Sequence, residues 1–159
     1  MKNYGNFICE KYEEIKSKHD LLDLLESAID NSDLNLVKLI IDLDVKLDDY
    51  LISYLRYSVF PKESLKILKL LIDNGIDINH IFYVNGLTGD VTISHLFAMS
   101  ENKNVSHFID LYRMGADFFI PSSKGKTVWY DLLDDKERKT LLTKIPELEI
   151  RIESDKFNI

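Results

Sequence analysis

Catalysis or metal binding needs a nucleophile, a base or a converging set of ligands, so the histidines, the cysteine and the carboxylate clusters come first. The chain has four histidines, His19, His80, His95 and His107, and one cysteine, Cys9. None of them stands in a His-Glu-x-x-His, Cys-x-x-Cys or Gly-x-Ser-x-Gly pattern. Gly86-Leu87-Thr88-Gly89 reads as a turn and not a phosphate cradle, because no Lys-Ser/Thr follows it. Cys9 has no neighbouring base to activate it. Carboxylates gather at Asp42, Asp44, Asp48 and Asp49, at Asp73 and Asp77, and at Asp134 and Asp135. A calcium loop would need six or more oxygens in a fixed order, and no Asp-x-Asp-x-Asp-Gly series supplies them. The expectation is no enzyme, no metal, no cofactor and no small-molecule substrate. The aspartates read instead as a solvated acidic rim on which a basic partner could dock.

Composition sets the class. With 45% hydrophobic and 30% charged residues in a chain of 159, there is enough apolar material for one domain with a sizeable core. The formal net charge of -7 argues against a nucleic-acid partner, whose phosphates are bound largely through Lys and Arg. It favours a neutral or basic protein partner. No apolar run approaches the ~20 residues of a membrane span, so no membrane association is expected. Residues 1–20 lack an apolar core of signal-peptide length, and a lone cysteine cannot form an internal disulfide. The expected location is cytoplasmic. Frequent Lys, Ile and Asn hint at an AT-rich coding genome, bacterial or viral.

The elements that position these residues recur. Leu65, Leu68, Leu71 and Ile72 fall at helical spacing, and Gly75 stands where a helix stops. Upstream, Leu36-Val37-Lys38-Leu39-Ile40-Ile41 repeats the pattern 31 residues earlier; downstream, His107-Phe108-Ile109-Asp110-Leu111-Tyr112 repeats it 40 residues later. Gly115-Ala116-Asp117 then matches Gly75-Ile76-Asp77, whereas Asp44 replaces the glycine in the first copy. The stretch "IFYVNGLTGD", Ile81 to Asp90, accounts for the longer second interval. An earlier helix precedes each copy, in "HDLLDLLESAIDN", "DYLISYLRYSVF" and "TISHLFAMSENK", and a fourth start follows at "SSKGKTVWYDLLDD". Thr92 and Thr127 each open a helix with a hydroxyl able to cap its amides. Helix pairs recurring at ~33 residues predict a stacked helical solenoid, in which no unit buries its apolar faces alone.

"LKILKLLIDNGIDIN" resembles the second helix and following loop of an ankyrin repeat. "TISHLFA" is similar to that family's Thr-Pro-Leu-His-Leu-Ala opening, with Thr92, His95, Leu96 and Ala98 kept and Ile93 in place of proline. "KGKTVWYDLL" resembles the same opening in a last repeat, with Val128 and Tyr130 in the proline and histidine slots. The resemblance implies an all-α ankyrin-repeat solenoid of about four helix-turn-helix units with short connecting hairpin loops. It spans 20–143, between an N-terminal capping segment 1–19 and a C-terminal tail 144–159. In that tail Pro146 ends a polar helix, Asp134 to Thr143, and Leu148, Ile150 and Ile152 alternate. The resemblance also gives His95 a structural role, bonding backbone groups of a loop. His107 is expected to pack or cap, and His80 to be exposed.

Ankyrin repeats generally hold other proteins on their concave loop face, so the resemblance implies a partner-binding surface. Its candidate residues are Asp48, Asp49, Tyr50, Tyr54, Arg56, Asp77, Asn79, His80, Phe82, Tyr83, Phe118 and Phe119, with Tyr57 and Met99 as possible additions. Aromatics and arginine are the usual interface anchors. A core role for Tyr54, Phe82 and Phe119 is the alternative. The expected function is a non-catalytic interaction module that masks a partner, such as an immunity protein neutralising a cognate basic toxin. A viral or bacterial effector that binds a host protein is the alternative, and an enzyme with an unrecognised site the minor one.

Overall fold

The computed structural model describes residues 18–43, 47, 62–83, 89–100 and 103–156. The capping segment through residue 17, the helix expected in "DYLISYLRYSVF", and Asp44, Asp48, Asp49, Tyr50, Tyr54, Arg56 and Tyr57 lie outside these residues. The described chain is mostly helical, with one two-stranded ladder, in agreement with the all-α expectation. It divides into two compact units between Asp77 and Ile78.

Among the described residues, the first unit packs three helices. Helix α1 (Lys18–Asp30) buries Leu25, Ala28 and Ile29 and turns through Ser32, whose φ is 56°. Helix α2 (Leu34–Ile41) starts where Asp33 accepts a hydrogen bond from the Leu36 amide at 3.0 Å, satisfying one of the amides that a helix start leaves unpaired. Helix α2 lies against α1 and against α3 (Lys62–Asp73), which buries Ile67, Leu68 and Leu71 on one stripe. Lys69 and Asp73 pair along its solvent side at 2.9 Å.

Helix α3 ends in a Schellman motif. The Gly75 amide reaches the Ile72 carbonyl at 3.0 Å and the Ile76 amide reaches Leu71 at 3.1 Å, with Gly75 at φ 99°. Forty residues on, Gly115 repeats the arrangement. Its amide reaches Tyr112 at 2.9 Å, Ala116 reaches Leu111 at 3.0 Å, and φ is 97°. A Cβ at either glycine would meet no atom within 4 Å, so the positive φ alone selects glycine.

In the second unit β1 (Phe82–Tyr83) pairs antiparallel with β2 (Asp90–Val91), placing Phe82 opposite Val91 and Tyr83 opposite Asp90. The expected insertion is thus a hairpin at its base. Helix α4 (Ile93–Met99) packs on α5 (Val105–Arg113), and Asn104 caps α5 by accepting from the Ser106 amide at 2.9 Å. The fourth helix start is a single π-helical turn (Val128–Leu132). Three contacts widen it: Leu133 bonds back to the Val128 carbonyl, Asp131 folds onto the Thr127 amide at 2.7 Å, and the Trp129 amide is drawn to the Phe118 carbonyl at 3.0 Å. Helix α6 (Asp135–Lys144) follows, with Asp134 and Glu137 forming a reciprocal capping box.

The C-terminal segment departs from the expectation. Residues Glu147–Lys156 form helix α7 where an alternating segment was expected, starting directly after Pro146. Leu148 and Ile152 sit four residues apart on the inner side, Leu148 fully buried, while Ile150 points out at 73% exposure. The helix is held to the second unit by contact with α6 and by Arg151, which pairs with Asp117 at 3.2 Å.

Candidate functional site

The second unit carries a cleft of about 170 Å³ between β2 and a tight turn. One wall is the β2 end of the hairpin, including Val91; the other is the tight turn 122–126, and Met99 of α4 and Leu132 close it. The turn is fixed by its own backbone, with Ser122 donating to the Lys126 carbonyl and Gly125 to the Ser122 carbonyl, both at 2.8 Å. It is also tied to the hairpin. The Ser123 amide donates to the Asp90 carbonyl at 3.0 Å, and the Ser123 hydroxyl accepts from the Asp90 amide at 2.7 Å.

His95 anchors the same turn from below. Its Nδ1 accepts from the Thr92 amide at 3.3 Å and lies 2.9 Å from the Thr92 hydroxyl, while Nε2 lies 2.9 Å from the Lys126 carbonyl. A backbone amide can only donate, so Nδ1 is the acceptor and Nε2 carries the proton to Lys126. Only 2% of the residue is exposed. Burial pushes its pKa below 6.5, partly opposed by the Lys126 carbonyl and the Asp131 carboxylate. With both nitrogens occupied, the imidazole is a wall and a brace, as its sequence position suggested. A second brace is Asn79, which donates to the Gly115 carbonyl at 3.0 Å and accepts from the Asp117 amide at 2.8 Å. These paired bonds hold the loop after Gly115 to the one before β1.

The candidate partner-binding residues separate sharply. Tyr83 is 61% exposed beside the cleft wall, and Met99 is 43% exposed at its edge. Asp77 is exposed, and Asn79 and His80 are partly covered, so His80 is less open than expected. Phe82, Phe118 and Phe119 are core residues, which corrects their place on a docking face. Phe82 is 3% exposed because successive strand residues point to opposite sides, and its neighbour Tyr83 takes the outer one. Phe118 is enclosed edge-on by Phe108 at 5.8 Å and touched by Tyr112 at 6.1 Å. Phe119 sits among Trp129, Tyr130 and the Arg151 guanidinium, whose carbon lies 5.5 Å from the ring centre. Asp48, Asp49, Tyr50, Tyr54 and Arg56 are outside the described residues.

Val91, Leu132, Lys124 and Lys126 belong to the cleft but carried no site signal in the sequence beyond a Lys-Gly-Lys tip. His107 packs, its ring 5.9 Å from Phe97 and nearly perpendicular to it, and its buried Nδ1 has no hydrogen-bond partner among the described residues. No three His, Cys, Asp or Glu side chains gather to hold a metal among the described residues, and none of the described helices is long and apolar enough to cross a membrane. No protein-family model and no curated protein matches the chain.

Proposed function

We propose that the chain is a divergent ankyrin-repeat solenoid whose loop face binds another protein and masks it, without catalysis. The observation that carries the reading is the lacing of successive loops. Asn79 holds Gly115 and Asp117, His95 holds Lys126, and Ser123 holds Asp90. Loops ordered before a partner arrives lose little freedom on binding, which lowers the cost of association. Beside those fixed backbones stand an outward Tyr83 and Met99, residue types enriched in interface cores. Two Schellman turns forty residues apart, and a Thr-x-x-His whose imidazole braces the next loop, agree with the ankyrin resemblance. The formal charge of -7 favours a neutral or basic partner, and an immunity protein that neutralises a basic toxin has this economy of parts.

The test starts from Tyr83, replaced by a photo-crosslinking phenylalanine analogue and expressed in the native host. The captured protein is identified, purified and assayed alone and with the unmodified chain. Expected is loss of its activity at one equivalent, weakened by Asp77→Lys through a slower association rate at low salt. Full activity at several equivalents overturns masking. Unchanged rates for the Asp77→Lys variant overturn the electrostatic part.

A further inference from the structure

Asn74 and Gly75 share an exposed turn and carry the chemistry of self-modification. In an Asn-Gly pair the glycine nitrogen can attack the preceding carboxamide, because no Cβ crowds the approach. The Gly75 nitrogen gives up its proton and bonds to Cγ of Asn74. The Cγ–Nδ2 bond breaks, and Nδ2 leaves as ammonia with that proton. One water then opens the cyclic imide at either carbonyl, giving aspartate or an isoaspartate whose backbone runs through Cβ and Cγ. The folded turn holds both reacting groups elsewhere. Asn74 Nδ2 donates to the Leu70 carbonyl at 2.8 Å, and the Gly75 amide donates to the Ile72 carbonyl at 3.0 Å. Two other turns of this kind each lack one element of the pair. Asn31 donates back to the Ser27 carbonyl at 2.7 Å and the Ser32 amide reaches Ile29 at 3.0 Å, but Ser32 has a Cβ. Gly115 follows Met114, which has no carboxamide.

We infer that Asn74-Gly75 is a one-way self-modification site: the Schellman motif holds it off, and opening of the last turn of α3 releases it to form isoaspartate and aspartate. Opening frees the Gly75 amide and the Asn74 carboxamide together, since the same turn holds both. The reaction then runs at its intrinsic rate multiplied by the open fraction. Neither product restores what was lost. An aspartate carboxylate cannot donate to the Leu70 carbonyl, and its charge is unfavourable at a helix C-terminus. Isoaspartate lengthens the backbone between the Ile72 carbonyl and the Gly75 amide, so the two no longer meet in register. The site is independent of the protein-binding reading.

The experiment incubates the full chain at mildly alkaline pH, with and without enough urea to unfold it. Mass spectrometry follows conversion of amide to acid, fragmentation places it, and enzymatic methyl transfer measures isoaspartate. Asn85-Gly86, outside the described residues, supplies the reference rate of an Asn-Gly pair in urea. Expected in urea are similar rates at Asn74 and Asn85 and a slower one at Asn31. In the folded chain Asn74 converts at least ~10-fold more slowly than in urea. Ile76→Ala, which removes buried apolar atoms beside the motif, raises the folded rate at least ~3-fold. Sub-denaturing urea does the same should that variant not fold. The converted chain, separated by its added charge, loses hydrogen-exchange protection at Gly75 and Ile76 in proportion to its isoaspartate and keeps it at Gly115 and Ala116. Equal Asn74 rates with and without urea overturn the gate. So does a folded rate that neither Ile76→Ala nor sub-denaturing urea raises, including one too slow to detect. Unfolded chain that converts at Asn85 and not at Asn74 overturns the site. Unchanged protection at Gly75 and Ile76 in the isoaspartyl product overturns the one-way step.

Discussion

The loops after Gly75 and Gly115 begin alike and end differently. Both follow a Schellman turn, and both bury the third residue beyond the glycine, Ile78 in one and Phe118 in the other. At the next position the first has Asn79, which reaches forward to the backbone of the second. The second has Phe119, boxed by Trp129 and Tyr130 beneath Arg151 of α7. The two helix starts at Thr92 and Thr127 diverge in the same way. His95 bonds the following loop, while Tyr130, in the corresponding slot, has its pKa raised by burial and by the neighbouring Asp155 carboxylate of α7. One set of contacts hands on to another turn of backbone; the other closes against a helix. Arg151 and Asp155, four residues apart on α7, serve both closing contacts.

The comparison can be broken most strongly at the buried slot. Phe118→Ala should cost about 3–5 kcal/mol and Ile78→Ala about 2–5 kcal/mol in urea unfolding. A cost under 1 kcal/mol at either would mean the two slots are not equivalent. Gly75→Val and Gly115→Val should each cost about 1–3 kcal/mol from backbone strain alone, since a Cβ has room at both. Unequal losses, by more than about 1 kcal/mol, would separate the two turns. Asn79→Ala strands the Asp117 amide and should cost about 1–3 kcal/mol, with faster hydrogen exchange at Asp117 as the local readout.

The His95 brace adds a pH signature. Its folded pKa is lowered, so the unfolded chain binds the proton first as pH falls. The stabilisation is complete above pH 6.5 and is lost below it. Relative to His95→Gln, the natural chain should lose up to about 1.4 kcal/mol per pH unit below 6.5, measured as the difference between their unfolding free energies. A constant difference from pH 7 to 5 would deny the brace. The smallest effect belongs to α7. Arg151→Ala should cost no more than about 1 kcal/mol, because its pairing with Asp117 is half exposed and its stacking on Phe119 is modest. In Phe119→Ala the same change should cost less still, and a double-mutant cycle measures the difference.

Local signals were the legible ones. Gly75 and Gly115 stop helices through bonds spanning five residues, and the Thr127 hydroxyl caps the turn that it opens by accepting from the Tyr130 amide three residues on, so short windows of sequence contain the cause. The His95 brace was legible because its type and slot matched a resemblance. What the sequence hid depends on distant partners. Phe118 and Phe119 both turn inward, and Phe119 does so against Trp129, Tyr130 and the Arg151 guanidinium of α7, all distant from it in sequence. Leu148, Ile150 and Ile152 fit a two-residue period as written, yet Leu148 and Ile152 also fit a helix, and the packing on α6 decides. The cleft joins Val91 to Lys126 and Leu132 across more than thirty residues, a proximity no local pattern encodes.

Arg151 and Asp155 stand one turn apart on α7, so a fluctuation that lifts that helix takes the cover from Phe119 and the charge from beside Tyr130 in one event.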